Sequence, residues 1–295
     1  MRLKEIVKSL TPEVWNIGFI LNSLESILQG DQLQVKWMKH DCKKSWFADP
    51  FILEVTDEEI HVLAEEFYQP IERGRIARLI LDRRTYELKK KDVVLELPTH
   101  LSFPAIIRKN GLIYLYPENG ESMELNLYQY IPETNKCIKV ETVLPEAVAD
   151  AVITEIDGKE YLFCTKQPNP NGNVLSVYQK NAAGHFQQKE EYTFEEHVAR
   201  MAGDFFTYNG KLYRPTQECN VQYGHAVTLQ EVTFSQGKFT FKEIRRMSSV
   251  HPKLTVGMHT FNMYKGLIVT DALGFHNMWI RRTLKLLTHR DTEKN

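Results

Sequence analysis

Short apolar stretches separated by turn sequences follow one another along most of the chain. Five segments share one arrangement, in which an apolar strand, a tight turn and a second apolar strand come in that order. They read ADPFILEVTDEEIHVLAEE, FPAIIRKNGLIYLYPEN, DAVITEIDGKEYLFCTK, AGDFFTYNGKLYRPTQE and MHTFNMYKGLIVTDAL. The turns Asn110-Gly111, Asp157-Gly158 and Asn209-Gly210 are typical of hairpins, because both residues tolerate a positive φ. The pattern therefore predicts five β-hairpins.

Aligning the hairpins on their turns reveals a repeat along the chain. The equivalent positions are Asp49, Phe103, Asp150, Ala202 and Met258, which lie 47 to 56 residues apart. Each of the first four hairpins is followed by two more stretches with strand character. A four-stranded unit repeated at this length is typical of a propeller blade. The sequence thus predicts an all-β fold, a five-bladed β-propeller.

The ring needs strands from elsewhere in the chain, because the fifth unit stops after its second strand, near Phe275. The N-terminal segments WNIGFIL and LQVKWMKH are the candidates, and their addition would remove exposed sheet edges. Short helices are predicted over residues 2–10 and from Trp279 onward. One structural domain results, with ring-closing strands and a helix in residues 1–45, the propeller in 46–278 and a basic helix or tail in 279–295.

Composition and charge restrict the class of partner. The net charge is −1 and charged residues make up 25% of the chain. Nucleic acid is therefore not an expected partner, since such proteins carry a broad basic excess. The sequence offers no apolar stretch of signal-peptide or membrane-span length, so a cytoplasmic location is expected. The C-terminal helix is expected to pack on the propeller, with peripheral contact to a membrane as the alternative.

Four cysteines, Cys42, Cys137, Cys164 and Cys219, lie far apart and form no CxxC pair. A disulfide framework or a zinc knuckle would need closer or regular spacing. We therefore expect free thiols.

Acidic residues recur at the positions that should line the central channel. Asp49 and Asp150 occupy two equivalent positions, and Asp204 lies two residues after a third, on the same face by strand alternation. Glu118 and Glu218 end second strands. Buried charges are costly unless they are paired or functional, so these acids are candidates for a catalytic site. The alternative is that some of them cap turns or remain in solvent.

Among these acids Asp204 is a candidate for substrate binding, and three further side chains are candidates for the same role. Arg214 and Gln217 lie beside Glu218 and could pair with an acid or bind a sugar hydroxyl. Tyr116, two residues before Glu118, could belong to a wall on which a sugar ring stacks.

These motifs resemble a known superfamily. WFADPF, the aspartate of the third blade and the Glu-Cys pair of the fourth resemble the five-bladed furanosidases, glycoside hydrolase families 32, 43 and 68. The ADPF, LSFPAI…YLYPEN, YRPTQEC…YGHAV and GMHTFN segments resemble more closely the N-terminal propeller domain of glucosamine inositolphosphorylceramide transferases and its bacterial relatives. This second likeness covers the chain from about Trp15 to Phe275.

The resemblance implies roles for the acids. Asp49 would be the nucleophile or general base, Asp150 the residue that orients the substrate, and Glu218 the general acid, with Glu118 as the competing acid. Such chemistry needs one ionised and one protonated carboxyl group. His259 resembles the channel histidine near which arabinanase-like enzymes hold a metal, so a divalent ion in the channel is the candidate cofactor. The alternative for His259 is a hydrogen-bonded core histidine.

The resulting hypothesis is a carbohydrate-active propeller that hydrolyses or transfers a glycosyl group. A role in making a surface glycan or glycolipid is favoured because no export signal is visible in the sequence. The alternatives are a non-catalytic propeller that binds a glycan or a partner, a nucleotide-sugar-dependent transferase, and a protein-interaction scaffold.

Overall fold

The fold was examined in a computed structural model, which describes residues 11–277. Within that range twenty strands form five antiparallel sheets of four strands each. This arrangement confirms the predicted all-β, five-bladed propeller. The helices predicted over 2–10 and from Trp279 onward lie outside the described residues.

Four of the blades are continuous in the chain and are numbered in its order. Blade 1 consists of β3 (Ser45–Val55), β4 (Glu59–Tyr68), β5 (Arg73–Asp82) and β6 (Leu88–Leu95). Blade 2 consists of β7 (Ile106–Lys109), β8 (Leu112–Leu115), β9 (Leu125–Ile131) and β10 (Lys136–Leu144). Blade 3 consists of β11 (Val148–Ile156), β12 (Lys159–Lys166), β13 (Val174–Lys180) and β14 (Phe186–Thr193). Blade 4 consists of β15 (Phe206–Tyr208), β16 (Lys211–Glu218), β17 (Ala226–Ser235) and β18 (Lys238–Met247).

Blade 5 combines segments that are distant in sequence. The hairpin of β19 (Phe261–Tyr264) and β20 (Leu267–Phe275) is extended by β1 (Glu13–Ile20), which runs antiparallel to β20 over eight residue pairs. The outermost strand is β2 (Val35–Trp37). The prediction that WNIGFIL and LQVKWMKH close the ring is therefore confirmed.

Helical structure is sparse in the described chain. The α-helix α1 (Leu24–Gln29) connects β1 to β2, with Ser23 as its N-cap and Gly30 at its C-terminal end. Two 3-10 turns span Gln69–Ile71 and Gly120–Ser122. The sequence analysis did not predict these elements, because each is only one to two turns long.

The core lies between neighbouring blades. The second strand β12 is buried on both faces, because another blade covers each side, whereas every residue of the outer strand β14 is half-buried or exposed. Between blades 3 and 4, the rings of Tyr161 and Phe163 pack edge-on against Phe239 at centroid distances of 5.2 Å. Aromatic packing of this kind fixes the blades against one another and keeps the channel walls rigid.

Two further predictions concern the state of the cysteines and the presence of membrane-spanning helices. All four cysteines are free thiols, as predicted, and Cys164 and Cys219 are buried. Between residues 11 and 277, the helices are too short and too polar to cross a bilayer.

Candidate active site

Three blades share a backbone distortion at equivalent positions, within the innermost strand of blades 1 and 3 and just before that of blade 2. Asp49, Phe103 and Asp150 have φ angles of 50°, 43° and 44°. This left-handed conformation is uncommon for residues other than glycine. The ladders between β3 and β4 and between β11 and β12 shift register there. Such strain persists only where the surroundings hold it in place, and it concentrates at functional sites.

Each of these three residues donates its backbone N–H to a carboxylate. Oδ2 of Asp271 accepts from Asp49 at 3.2 Å, and Oδ2 of Asp49 accepts from Phe103 at 3.0 Å. Oε2 of Glu118 accepts from Asp150 at 3.0 Å. In every case the acceptor comes from the preceding blade of the ring. The distortion therefore links successive blades and gathers their acids at one end of the channel.

Blades 5 and 1 contribute an ion pair built around His259. Its Nδ1 lies 2.7 Å from Oδ2 of Asp271, and its Nε2 lies 3.4 Å from Oδ1 of Asp49. The imidazole also stacks on Trp15 at a centroid distance of 4.0 Å. Burial alone would lower the pKa of His259, but the charges of Asp271 and Asp49 outweigh it and raise the pKa to about 9. His259 is therefore a cation at neutral pH.

The same three residues have the composition of a metal site, since their ligand atoms all lie within 4.8 Å of one another. Their hydrogen bonds fit an ion pair better. Asp271 already accepts the backbone N–H groups of His259, Thr260 and Asp49 in addition to the imidazole. A protonated imidazole has no free lone pair for a metal. A divalent ion could bind here only after His259 lost a proton, so no catalytic step is assigned to a metal.

Blades 2 and 3 contribute two acids that share one arginine. Arg200, in the connection to blade 4, places Nε 2.6 Å from Oδ2 of Asp150 and Nη2 3.0 Å from Oε2 of Glu118. Its Nη1 donates to Oδ1 of Asn171 at 2.8 Å. Gln217 donates to Oδ2 of Asp150 at 2.5 Å. The predicted candidates Asp150, Glu118 and Gln217 thus meet in one cluster.

The two acids of this cluster differ in their electrostatic surroundings. Burial raises the pKa of Glu118 to about 8, because the opposing effect of Arg200 is too small to cancel it and Asp150 adds a like charge. Glu118 therefore carries a proton at neutral pH. Asp150 is only 1% exposed and accepts hydrogen bonds from Arg200 and Gln217. A protonated Glu118 thus lies beside an aspartate that a guanidinium holds in place.

Glu218 has different partners from those of Glu118. Its Oε1 accepts the backbone N–H of Asn220 at 2.6 Å, and its Oε2 lies 2.5 Å from Nδ1 of His225. Arg214, which the sequence placed near this acid, donates instead to the carbonyl oxygen of Val198 at 2.7 Å.

Arg214 lies in an apolar environment. Its guanidinium is 5.2 Å from the ring of Phe194 and 4.9 Å from that of Phe241. Burial lowers the pKa of Arg214 to about 9. The role of Arg214 in substrate binding stays a prediction.

Asp204 lies two residues nearer its hairpin turn than Ala202, the equivalent of Asp49, and Tyr116 lies two residues nearer its turn than Glu118. The backbone N–H of Asp204 donates to Oδ1 of Asn262 at 2.8 Å. Burial raises the pKa of Asp204 to about 7, against the opposing effect of Arg108. The phenolic oxygen of Tyr116 accepts the N–H of Ile153 at 3.0 Å, and the ring is fully buried. Both residues therefore belong to a deeper part of the channel than Asp49.

A family model described as "Glucosamine inositolphosphorylceramide transferase 1, N-terminal" matches residues 35–267. The chain belongs to this family. It is 28% identical over 200 residues to glucosamine inositolphosphorylceramide transferase 1 of Arabidopsis thaliana, and 26% identical over 198 residues to that of Oryza sativa subsp. japonica. These alignments cover 64% of this chain but only 26% of each relative. Members of the family are thus matched over about a quarter of their length.

Solved glycosidase structures share the fold of this family member. A family 43 β-xylosidase/α-arabinofuranosidase from a compost microbial metagenome superposes with a TM-score of 0.54 at 12% identity, covering 81% of this chain and 93% of that one. An α-L-arabinofuranosidase from Lactobacillus brevis gives a TM-score of 0.54 at 11% identity, covering 75% and 79%. Together with the family match, these structures confirm the resemblance predicted from the motifs.

Three residues of the site were not predicted from the sequence. Arg200 lies between blades and has no counterpart in the repeat. Asp271 was overlooked within β20, although an aspartate in the apolar run GLIVTDALGF is itself a signal of burial. Tyr223, in the loop after β16, lies with its ring 5.0 Å from the guanidinium of Arg200.

Proposed function

We propose that the chain is a carbohydrate-active propeller that cleaves or transfers a glycosyl group at the cluster of Glu118, Asp150 and Arg200. The observation that carries this proposal is the position of Glu118, whose pKa is raised, beside Asp150 on a shared arginine at one end of the channel. Glycosyl chemistry needs two carboxyl groups with different roles, because the leaving oxygen must gain a proton while another carboxylate stays charged. The names of the family and of the fold neighbours, all taken from carbohydrate-active proteins, support it.

In the proposed reaction Glu118 is the general acid. The bond between the anomeric carbon and the leaving oxygen breaks, and the proton of Glu118 passes to that oxygen. Asp49 either attacks the anomeric carbon or takes the proton of the acceptor hydroxyl that does so. Asp150, held by Arg200 and Gln217, stabilises the positive charge that develops on the sugar ring.

The motif resemblance alone favours Glu218 as the acid, and the surroundings of the two residues favour Glu118. A general acid needs a raised pKa, which burial and a neighbouring carboxylate provide for Glu118. Both carboxylate oxygens of Glu218 are engaged, by a backbone N–H and by His225.

We further propose that the glycosyl group ends on a surface glycan or glycolipid rather than on water. The relatives are named for a transfer of glucosamine to inositolphosphorylceramide, and the chain matches about a quarter of their length. The activity of the full-length relatives is therefore attributed to this chain only as a proposal.

A non-catalytic glycan-binding propeller is the second candidate. Asp49 and Asp150 are 2% and 1% exposed, and each has several partners within the protein. Side chains that are so completely paired favour a cavity that orients a ligand without reacting with it.

The test compares Glu118→Gln with the wild type on methyl glycosides of glucosamine and N-acetylglucosamine, whose alkoxide leaving groups need a proton from the acid. Loss of a general acid should lower kcat about 100- to 10,000-fold with little change in KM. Glu121→Gln, at an exposed glutamate three residues away, is the matched control and should keep full activity. Unchanged turnover in Glu118→Gln would refute the proposed mechanism. Calorimetric binding of glucosamine without turnover by the wild type would support the second candidate instead.

A further inference from the structure

A loop over residues 219–225, between β16 and β17, reaches across the site and has no role in the mechanism above. Its residue Tyr223 is 38% exposed. The ring lies 5.0 Å from the guanidinium of Arg200 on one side of the cavity and edge-on to His259, at a centroid distance of 5.3 Å, on the other. Tyr223 is therefore a partly open aromatic surface above both groups of acids.

Glu218 joins the two ends of this loop. Its carboxylate accepts the N–H of Asn220 through Oε1 and contacts Nδ1 of His225 through Oε2. Its backbone oxygen accepts the N–H of His225 at 3.2 Å. One side chain that is only 2% exposed thus holds the residues on either side of Tyr223.

Blade 5 supports the loop from below. The carbonyl oxygen of Gly224 accepts the N–H of Met258 at 2.9 Å, and Gln222 donates to the carbonyl oxygen of Val256 at 2.8 Å. Gly224 has a φ of 60°, and a Cβ there would lie only 3.0 Å from Cβ of His259. Glycine is therefore required for the loop to lie this close to the ion pair.

We propose that Tyr223 contacts the substrate by stacking on a sugar ring, and that Glu218 is a positioning residue that holds Tyr223 over the cavity. This inference rests on the proposed carbohydrate substrate of the site. The C–H face of a cyclic sugar packs on an aromatic ring, and the phenolic hydroxyl supplies a polar handle at its edge. The substrate class is thus a cyclic sugar that enters between Tyr223 and the acids.

The Tyr223 part of the proposal is tested by two substitutions measured on methyl glycosides of glucosamine and N-acetylglucosamine. Tyr223→Ala should raise KM about three- to tenfold, while kcat stays within about twofold, because stacking binds the ring without taking part in proton transfer. Tyr223→Phe keeps the ring but loses the hydroxyl, so it should raise KM less than Tyr223→Ala does. An unchanged KM in Tyr223→Ala would overturn the stacking role.

Glu218→Gln and Glu218→Ala separate positioning from acid catalysis. A glutamine can accept the Asn220 N–H and donate to a neutral His225, so it preserves the loop, but it has no proton to give as an acid. Glu218→Gln should therefore stay within about twofold of the wild type in kcat and KM, and Glu218→Ala should resemble Tyr223→Ala. A loss of kcat in Glu218→Gln like that expected of Glu118→Gln would show that Glu218 is the acid and would overturn the proposal.

Amide hydrogen exchange supplies a readout that does not depend on turnover. Exchange over residues 219–225 should accelerate in Glu218→Ala and in His225→Ala, and should stay at the wild-type rate in Glu218→Gln. Equal protection in all four proteins would refute the positioning role even if no glycoside is turned over. If Glu118→Gln retains full turnover while exchange behaves as expected, the proposed mechanism fails and the positioning role stands.

Discussion

The two sides of the channel share one backbone feature, a left-handed residue that donates its N–H to a carboxylate, but their acids differ in electrostatic surroundings. On the side of blades 5 and 1, Asp49 and Asp271 face a cationic imidazole. The pKa of Asp271 is lowered despite its burial, because His259 and the backbone N–H groups stabilise its charge, whereas burial raises the pKa of Asp49 to about 7. On the side of blades 2 and 3, Glu118 and Asp150 share Arg200, and the pKa of Glu118 is raised to about 8. On both sides, a carboxylate accepts the backbone N–H of a residue in the left-handed conformation.

The difference lies in how the single cation of each side is bonded to its pair of acids. His259 lies between its two carboxylates, and these also accept hydrogen bonds from Thr260 and from backbone N–H groups. Arg200 donates to Asn171 as well, and it contacts Glu118 through a single nitrogen. The first arrangement stabilises the charge of Asp271, and the second leaves Glu118 with a proton that can be given away.

The largest expected effect is on stability, at the ion pair. Asp271→Asn should lower the free energy of unfolding by about 3–5 kcal/mol at pH 7, because it leaves a buried charge without its partner. Glu118→Gln should be no less stable than the wild type, since the acid it replaces is already neutral. Urea denaturation of both variants measures the contrast. Similar losses in the two variants would show that the sides do not differ as described.

The second effect is on titration: the pKa is shifted in opposite directions in Glu118 and in Asp271. The carboxyl carbon of Glu118 should titrate near pH 8 by NMR, whereas that of Asp271 should titrate below the usual range of an aspartate. The raised pKa of Glu118 means that the folded state keeps a proton that the unfolded state has lost. The wild type should therefore lose stability as pH rises from about 4.5 to 8, by roughly 1–3 kcal/mol, and Glu118→Gln should lose less. Parallel pH profiles for the two proteins would contradict this assignment.

The smallest effect is expected deeper in the channel, at Asp204. Its pKa is raised to about 7 by burial, so ionisation opposes folding above that pH. Asp204→Asn should stabilise the protein by about 1 kcal/mol at pH 8 and leave it unchanged at pH 4. Asp157→Asn, in an exposed hairpin turn, is the control and should show no such difference. A stability gain at pH 4 as large as that at pH 8 would point to an effect other than ionisation.

The repeat made the fold predictable, because each hairpin turn and apolar strand is a local signal that recurs five times. The same alignment brought Asp49 and Asp150 to equivalent positions, where the structure indeed gives them the same backbone conformation. Ring closure by β1 was predictable because the last unit lacks strands that the N-terminal segments can supply.

The side chains that complete the site were harder to find, since they depend on contacts between blades. Arg200 has no repeat partner, and its role appears only when Glu118 and Asp150 are brought together. One signal was available but unused: Glu118 and Gln217 each lie seven residues after a turn glycine. Both of them contact Asp150, whereas Glu218 contacts His225. Counting residues from the turns would have placed Glu118 and Glu218 on opposite faces of their strands.

The pairing of β1 with β20 also orders the folding of the protein in time. Blades 1 to 4 are made from contiguous sequence and can form as the chain emerges, but β1 must wait until β20 has been synthesised. His259 and Asp271 arrive with that last hairpin, and Trp15 with the waiting strand. During synthesis Asp49 therefore lies beside an open gap, without its cationic partner. The ion pair assembles only when the first and last strands of the described chain meet, so the site cannot be complete before the ring is closed.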